Sequence, residues 1–181
     1  MESKNTLSSA FKISTVTILT AITTIFTIAV RIPIAPTRGY INLGDVAIYF
    51  SAITFGPFSA LVSGGLGTAL ADILSGYSQW APISFAVHGL EGLVIGLIVQ
   101  HFYGENSSTA NLIVAWTLAF IAGTVVMAGG YLLAENFIVG LGAALTELPG
   151  NIIQNIAGIA GGIPLALAIK KAYPPVVNFK W

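Results

Sequence analysis

The polar side chains of this chain gather in a few short stretches, and one of those has helical spacing. Glu147, Asn151, Gln154 and Asn155 follow one another at intervals of four, three and one, which puts them along one side of a helix within about two turns. A carboxylate and three amides offer both acceptors and donors to a small polar solute. Amides also hold membrane helices together, but four polar side chains in so short a stretch exceed what that gluing needs. His88 and Glu91 stand three apart and share a helical face in the same way. They read either as a hydrogen-bonding pair turned toward the same solute or as a mutually satisfied pair that fixes packing; a proton relay would need further members. Tyr40, Asn42, Tyr77, Gln79 and Trp80 form a third group. Their rings are either interfacial belt aromatics or a surface on which a planar ligand stacks.

Other chemistries find little support. Cysteine is absent, which excludes disulfides and thiolate metal ligands, and His88 and His101 alone argue against a zinc site. Gly65-Leu66-Gly67 is followed by Leu70 where a dinucleotide fingerprint needs glycine. No glycine-rich loop carries a phosphate-binding lysine, so this chain is expected to need a separate ATPase for any ATP-driven step. No catalytic residue, metal or cofactor is expected. The sequon Asn106-Ser107-Ser108 falls on the expected cytoplasmic side and is discounted.

The elements that must position these residues follow from composition. Of 181 residues, 55% are hydrophobic and 8% charged, with a mean hydropathy of +0.87. Soluble domains carry about 25% charged residues, so the chain belongs in a bilayer. Seven basic residues balance seven acidic ones, and no net field recruits nucleic acid. The polar first nine residues lack the cleavage pattern of a signal peptide, so the first span is expected to remain as a helix. Apolar stretches at 11–30, 83–100, 110–134 and 148–170 approach the twenty or so residues that cross a membrane. The remaining stretch breaks at Gly56-Pro57, a turn signal, into helices at 45–55 and 58–74. The expectation is an all-α integral membrane protein, one domain over 1–181 with six transmembrane helices.

The helix at 45–55 spans roughly 16 Å, well short of the roughly 30 Å hydrocarbon core. The preceding 31–44 stretch, with Pro33, Pro36, Gly39 and Gly44, is therefore expected to dip into the protein along a non-helical path. Lys4, Lys12, Lys170, Lys171 and Lys180 fall on the side of the termini and Arg31 and Arg38 on the other, which places both termini in the cytoplasm. The outer connections are then 31–45, 72–80 and 135–147. Polar, irregular backbone at membrane depth is tolerated when it is buried in protein or lines a cavity, so a solute pocket is expected on the outer side. Asp45 is expected to cap the 45–55 helix, and Asp72 to pair with Arg31 or Arg38. Ser63, Gly67 and Ala71, Gly92 and Gly96, and Gly158 and Gly162 repeat at spacing four and let helices approach closely. Thr17, Ala21 and Thr24, with Thr20 beside them, form a small-residue stripe on the first helix, which either docks to another membrane protein or packs against the sixth helix.

The segments RIPIAPTRGYINLGD (31–45), FGPFSALVSGGLGTALADIL (55–74), YSQWAPISFAVHGLEGLVIGL (77–97) and ELPGNIIQN (147–155) together resemble the substrate-binding S components of energy-coupling factor (ECF) vitamin transporters. That resemblance implies a division of labour: the S component captures a vitamin with high affinity from outside, and a transmembrane T component with two ATPase subunits drives its release inward. It also implies that the first loop covers the site and that an Ala-x-x-x-Ala motif on the first helix meets the T component; Thr17 and Ala21 stand at the nearest match. An amide- and aromatic-rich pocket with one or two carboxylates suits a neutral or weakly cationic heterocycle, pyridoxine- or hydroxymethylpyrimidine-like first and riboflavin next. The alternative is a self-sufficient small transporter or channel, or an integral-membrane enzyme.

Overall fold

The computed structural model describes residues 8–102 and 108–181; Lys4 and the sequon residues Asn106 and Ser107 lie outside them. The order of elements is α1 (Ser9–Ala29), β1 (Ile32–Ile34), β2 (Gly39–Ile41), α2 (Gly44–Phe55), α3 (Pro57–Ser75), α4 (Ala81–Phe102), α5 (Thr109–Ile138) and α6 (Leu141–Ala172), closed by a 3-10 turn at Pro174–Phe179. All the helices except α2 are long and apolar enough to cross a membrane. Their outward faces carry large apolar side chains such as Ile13, Ile25, Val125, Leu133 and Phe137, as lipid-facing surfaces do.

Two expected elements change. The 135–147 connection is helix almost throughout: α5 runs to Ile138 and α6 begins at Leu141, so Glu147 lies nearly two turns inside α6. Pro149 lies inside α6, and the apolar surroundings, which offer no water to an unwound backbone, favour keeping the helix through it. Gly140 makes the tight α5–α6 junction at φ 86°, a conformation that glycine adopts without a side-chain clash. The second change concerns residues 31–44, which contain an antiparallel hairpin pairing Ile32 with Ile41, Pro33 with Tyr40 and Ile34 with Gly39. Its turn is held by Thr37, whose hydroxyl accepts from the Gly39 amide at 3.1 Å.

Helix α2 is the centre of the bundle. It packs on α1, α3, α4 and α6, and nearly every residue from Gly44 to Thr54 is buried. A helix apolar all round is a buried one, and at twelve residues α2 is shorter than the five helices around it.

Small residues set the spacing, as their repeat predicts. A Cβ on Gly96 would run into the Pro57 backbone of α3, one on Gly67 would meet the Thr23 side chain of α1 at 2.5 Å, and one on Gly162 Tyr49 of α2 at 2.5 Å. The end away from the hairpin holds an apolar core of Leu19, Phe50, Ile53, Ile95, Val99 and Ala166. There the chain's last residue closes the helix end, the Trp181 amide donating to the Phe55 carbonyl at 3.1 Å.

Candidate ligand-binding site

At the hairpin end, polar side chains from five helices and the hairpin converge on a cavity. Its walls are Thr27 of α1, Gly39, Tyr40 and Asn42 of the hairpin region, Thr68 and Asp72 of α3, Trp80, Ser84 and His88 before and on α4, Met127 and Tyr131 of α5, and Glu147, Asn151 and Gln154 of α6. The free space between these atoms is about 380 Å³, its open side included, and the centre of a water molecule reaches about 20 Å³ of it. That holds a water or two, whereas small-molecule sites occupy roughly 300–1,000 Å³.

The hairpin forms the cover. The Tyr40 hydroxyl donates to Asp72 Oδ1 at 2.7 Å, and its ring packs on Tyr77 with centroids 4.7 Å apart. Burial and the neighbouring Asp72 push the Tyr40 phenol well above its ordinary range, so it remains a donor at every physiological pH. The Trp80 indole donates to the Arg38 carbonyl at 3.2 Å. The Asn42 amide donates to Gln154 Oε1 at 2.8 Å, while Asn42 Oδ1 accepts from the Gly44 amide at 2.7 Å.

Beneath the cavity lies a closed polar network. Gln154 Nε2 donates to Asp45 Oδ1 at 3.2 Å. Asn155 Nδ2 donates to Glu91 Oε1 at 2.5 Å and reaches Asp45 Oδ2 at 3.5 Å. Its Oδ1 accepts from the Tyr49 hydroxyl at 2.6 Å and from Thr124 at 3.1 Å. His88 Nδ1 lies 2.9 Å from Glu91 Oε2 and 3.4 Å from Asp45 Oδ1. One proton between Nδ1 and the Glu91 carboxyl closes this contact, carried by the imidazole or by the carboxyl. Asp45, His88 and Glu91 bring three potential metal-ligand atoms within 4.8 Å of one another, a juxtaposition that two histidines in a sequence do not announce. Asp45 and Glu91 already accept from the side-chain amides of Gln154 and Asn155, and His88 is held between the two carboxyls, as buried polar groups require.

Of the residues picked out by spacing, Tyr40, Asn42, Trp80, His88, Glu147, Asn151 and Gln154 line the cavity. Glu91 and Asn155 lie one layer deeper, in the network. Tyr77 and Gln79 border a neighbouring open hollow with Thr37 and Arg38. Asp45 is no helix cap: Leu43 holds the N-cap position, and the Asp45 carboxylate, fully buried, turns inward to α6. Asp72 accepts from Tyr40 rather than pairing with Arg31 or Arg38. On α1, Thr17 and Ala21 are exposed, whereas Thr24 is buried and donates to the Gly67 carbonyl at 3.0 Å; the helix packs on α3 and α2 rather than on α6. Thr27, Thr68, Ser84, Met127 and Tyr131 were not visible as site residues, since single weakly polar or apolar residues carry no spacing signal. Ser84 and Tyr131 meet through their hydroxyls at 2.6 Å.

Membrane helices around a polar, carboxylate-bearing cavity define a membrane-embedded protein with a place for a small ligand. Residues 8–171 match the family of S components of ECF-type riboflavin transporters, and the chain belongs to that family. Among curated relatives, the chain is 34% identical over 155 residues to an uncharacterized Pyrococcus woesei protein from the gap 3′ region, covering 86% of this chain and 99% of the relative. It is 30% identical over 148 residues to the thiamine precursor transporter HmpT of Lactococcus lactis subsp. cremoris, covering 81% of this chain and 80% of the relative.

Proposed function

We propose that this protein captures a small vitamin or vitamin precursor with high affinity on the outer face of the cell membrane, as the substrate-specific subunit of an ATP-driven importer. The observation that carries this reading is the asymmetry of the bundle. Aromatic, amide and carboxylate groups surround a cavity at the hairpin end, and an apolar core fills the other end. In the proposed topology all six helices span, the hairpin completing α2, with both termini cytoplasmic and the hairpin outside. A T component and two ATPase subunits supply the energy, and exposed Thr17 and Ala21 on α1 form the docking stripe. The ligand contacts are Tyr40, Asn42, Trp80, His88, Glu147, Asn151 and Gln154, with Glu91 and Asn155 supporting them from below and Tyr77 and Gln79 at the rim.

The cavity must widen to admit a vitamin, and displacement of the hairpin that covers it is the proposed route. A pyridoxine- or hydroxymethylpyrimidine-like heterocycle suits the walls best, because two carboxylates and several amides face it while no Lys or Arg is among the lining residues; riboflavin is the next candidate. The relative described as a thiamine precursor transporter favours the first, and the family description the second. A channel would need polar lining through both halves of the bilayer, which the apolar core argues against.

The test separates capture from transport. A thermal-shift panel of vitamins and precursors on the purified protein should identify a stabilising ligand. Thr17→Trp or Ala21→Trp should then abolish its uptake by cells while leaving the purified protein's affinity unchanged, since small side chains permit close helix approach. Full uptake with both residues enlarged would move the docking surface elsewhere, and no stabilising ligand in the panel would sink the capture reading.

A further inference from the structure

Glu135 takes no part in the reading above, yet it is one of the most deeply buried acids of the chain. Met127 and Tyr131 face the cavity from α5, and Glu135 is the next residue along the same stripe, one turn nearer the hairpin end. It is 1% exposed, and its carboxyl oxygens meet no partner among the described residues other than the Glu147 carboxyl. The Glu147 carboxyl lies beside it. Glu147 is 4% exposed, lines the cavity, and leaves its Oε2 without a partner as well. Gly39 of the hairpin closes over the pair so tightly that a Cβ there would stand 2.6 Å from Glu147 Oε1. Beyond the contact between the two carboxyls and the Thr37 hydroxyl beside Glu147, no donor reaches these buried oxygens. Unsatisfied buried acceptors are costly, and intramembrane carboxylates commonly mark the path or seat of a solute.

We propose that Glu135 and Glu147 form a recognition site for an amino group or protonated ring nitrogen on the captured ligand. Glu147 accepts an N–H of that nitrogen directly. Glu135, behind it, is a positioning residue that holds the Glu147 carboxylate through the contact between the two carboxyls. The cationic or donor-rich nitrogen offsets the buried negative charge of the pair, which no Lys or Arg among the lining residues does. This inference rests on the vitamin-capture reading and narrows it to amino-bearing nitrogen heterocycles.

Calorimetry on the full chain, with ligand pairs that differ only in the nitrogen, tests it. One pair is pyridoxamine and pyridoxine; the other is hydroxymethylpyrimidine with its ring amino group and the same pyrimidine with hydroxyl in its place. The wild type should prefer the amino member by about tenfold or more, the scale of one charge-assisted hydrogen bond. Glu135→Gln and Glu147→Gln should each bring that preference close to unity while the other pair member still binds. Because the preference is read in the wild type as well, a variant that fails to fold does not remove the test. Equal wild-type affinities, or a preference that survives both substitutions, would overturn the site. Binding of riboflavin but of neither amine would overturn it while leaving vitamin capture standing, and binding of no vitamin at all would overturn both.

Discussion

Asn151 and Asn155 stand one turn apart on α6 and have opposite consequences when lost. Asn155 satisfies groups from α2, α4 and α5 at once, so Asn155→Ala orphans several buried partners, at about 1–3 kcal/mol each. A clear fall in melting temperature is expected, measured without ligand. Asn151 faces the cavity, and Asn151→Ala should leave the melting temperature nearly unchanged while weakening ligand binding about ten- to hundred-fold. Equal thermal losses in the two variants would mean that both are structural. Their shared face was readable from a spacing of four, because helical periodicity is local. Their difference in role was not, because depth relative to a cavity is set by what α2 and α4 bring alongside. Asp45 shows the same limit: an acid at a helix start reads as a cap, and only the packing of α6 on α2 turns it into the acceptor for Gln154 and Asn155.

At the scale of elements, the hairpin between α1 and α2 decides access. It is joined to α3 through Tyr40–Asp72 and to α6 through Asn42–Gln154, and it seals a cavity too small for a vitamin. Gly150 of α6 lies under it, where an added Cβ would meet Ile41 at 2.7 Å, and neither Ile41 nor Gly150 is among the cavity's lining residues. A disulfide between cysteines placed at these two positions should slow ligand association about tenfold or more when oxidised, with reduction restoring the rate, because the closed state excludes the ligand. Association unchanged on oxidation would mean that ligands enter by another route. The prolines and glycines of this stretch announced a non-helical path, but the strand pairing depends on two segments meeting across a turn, which composition alone does not specify. The 135–147 stretch misled in the other direction: its polar residues read as an outer loop, and helices α5 and α6 absorb nearly all of it because backbone hydrogen bonds have no substitute in lipid.

For the whole molecule, the asymmetry between a polar end and an apolar end predicts one-sided access. The absence of cysteine makes single-cysteine scanning clean. Cysteines at His88 and Asn151 should react with an impermeant maleimide from the hairpin side in the ligand-free protein and be protected by ligand, whereas one at Gly161 should stay unreactive from that side. Labelling at Gly161 equal to that at Asn151 would indicate a continuous aqueous path. The membrane setting, the helices and the polar stripe of α6 were determined by the sequence, since hydropathy and helical periodicity are properties of contiguous residues. The repeated small residues likewise announced close packing before any partner was known. Which stripes face each other was decided by tertiary structure alone. Burying α2 among α1, α3, α4 and α6 draws Asp45, Glu91, His88 and Asn155 into one network, and the length of α5 and α6 carries Glu135 beside Glu147. Contacts such as Asp45–His88 and Glu91–Asn155 join residues dozens of positions apart, and their register depends on glycine contacts between helices that no single helix encodes.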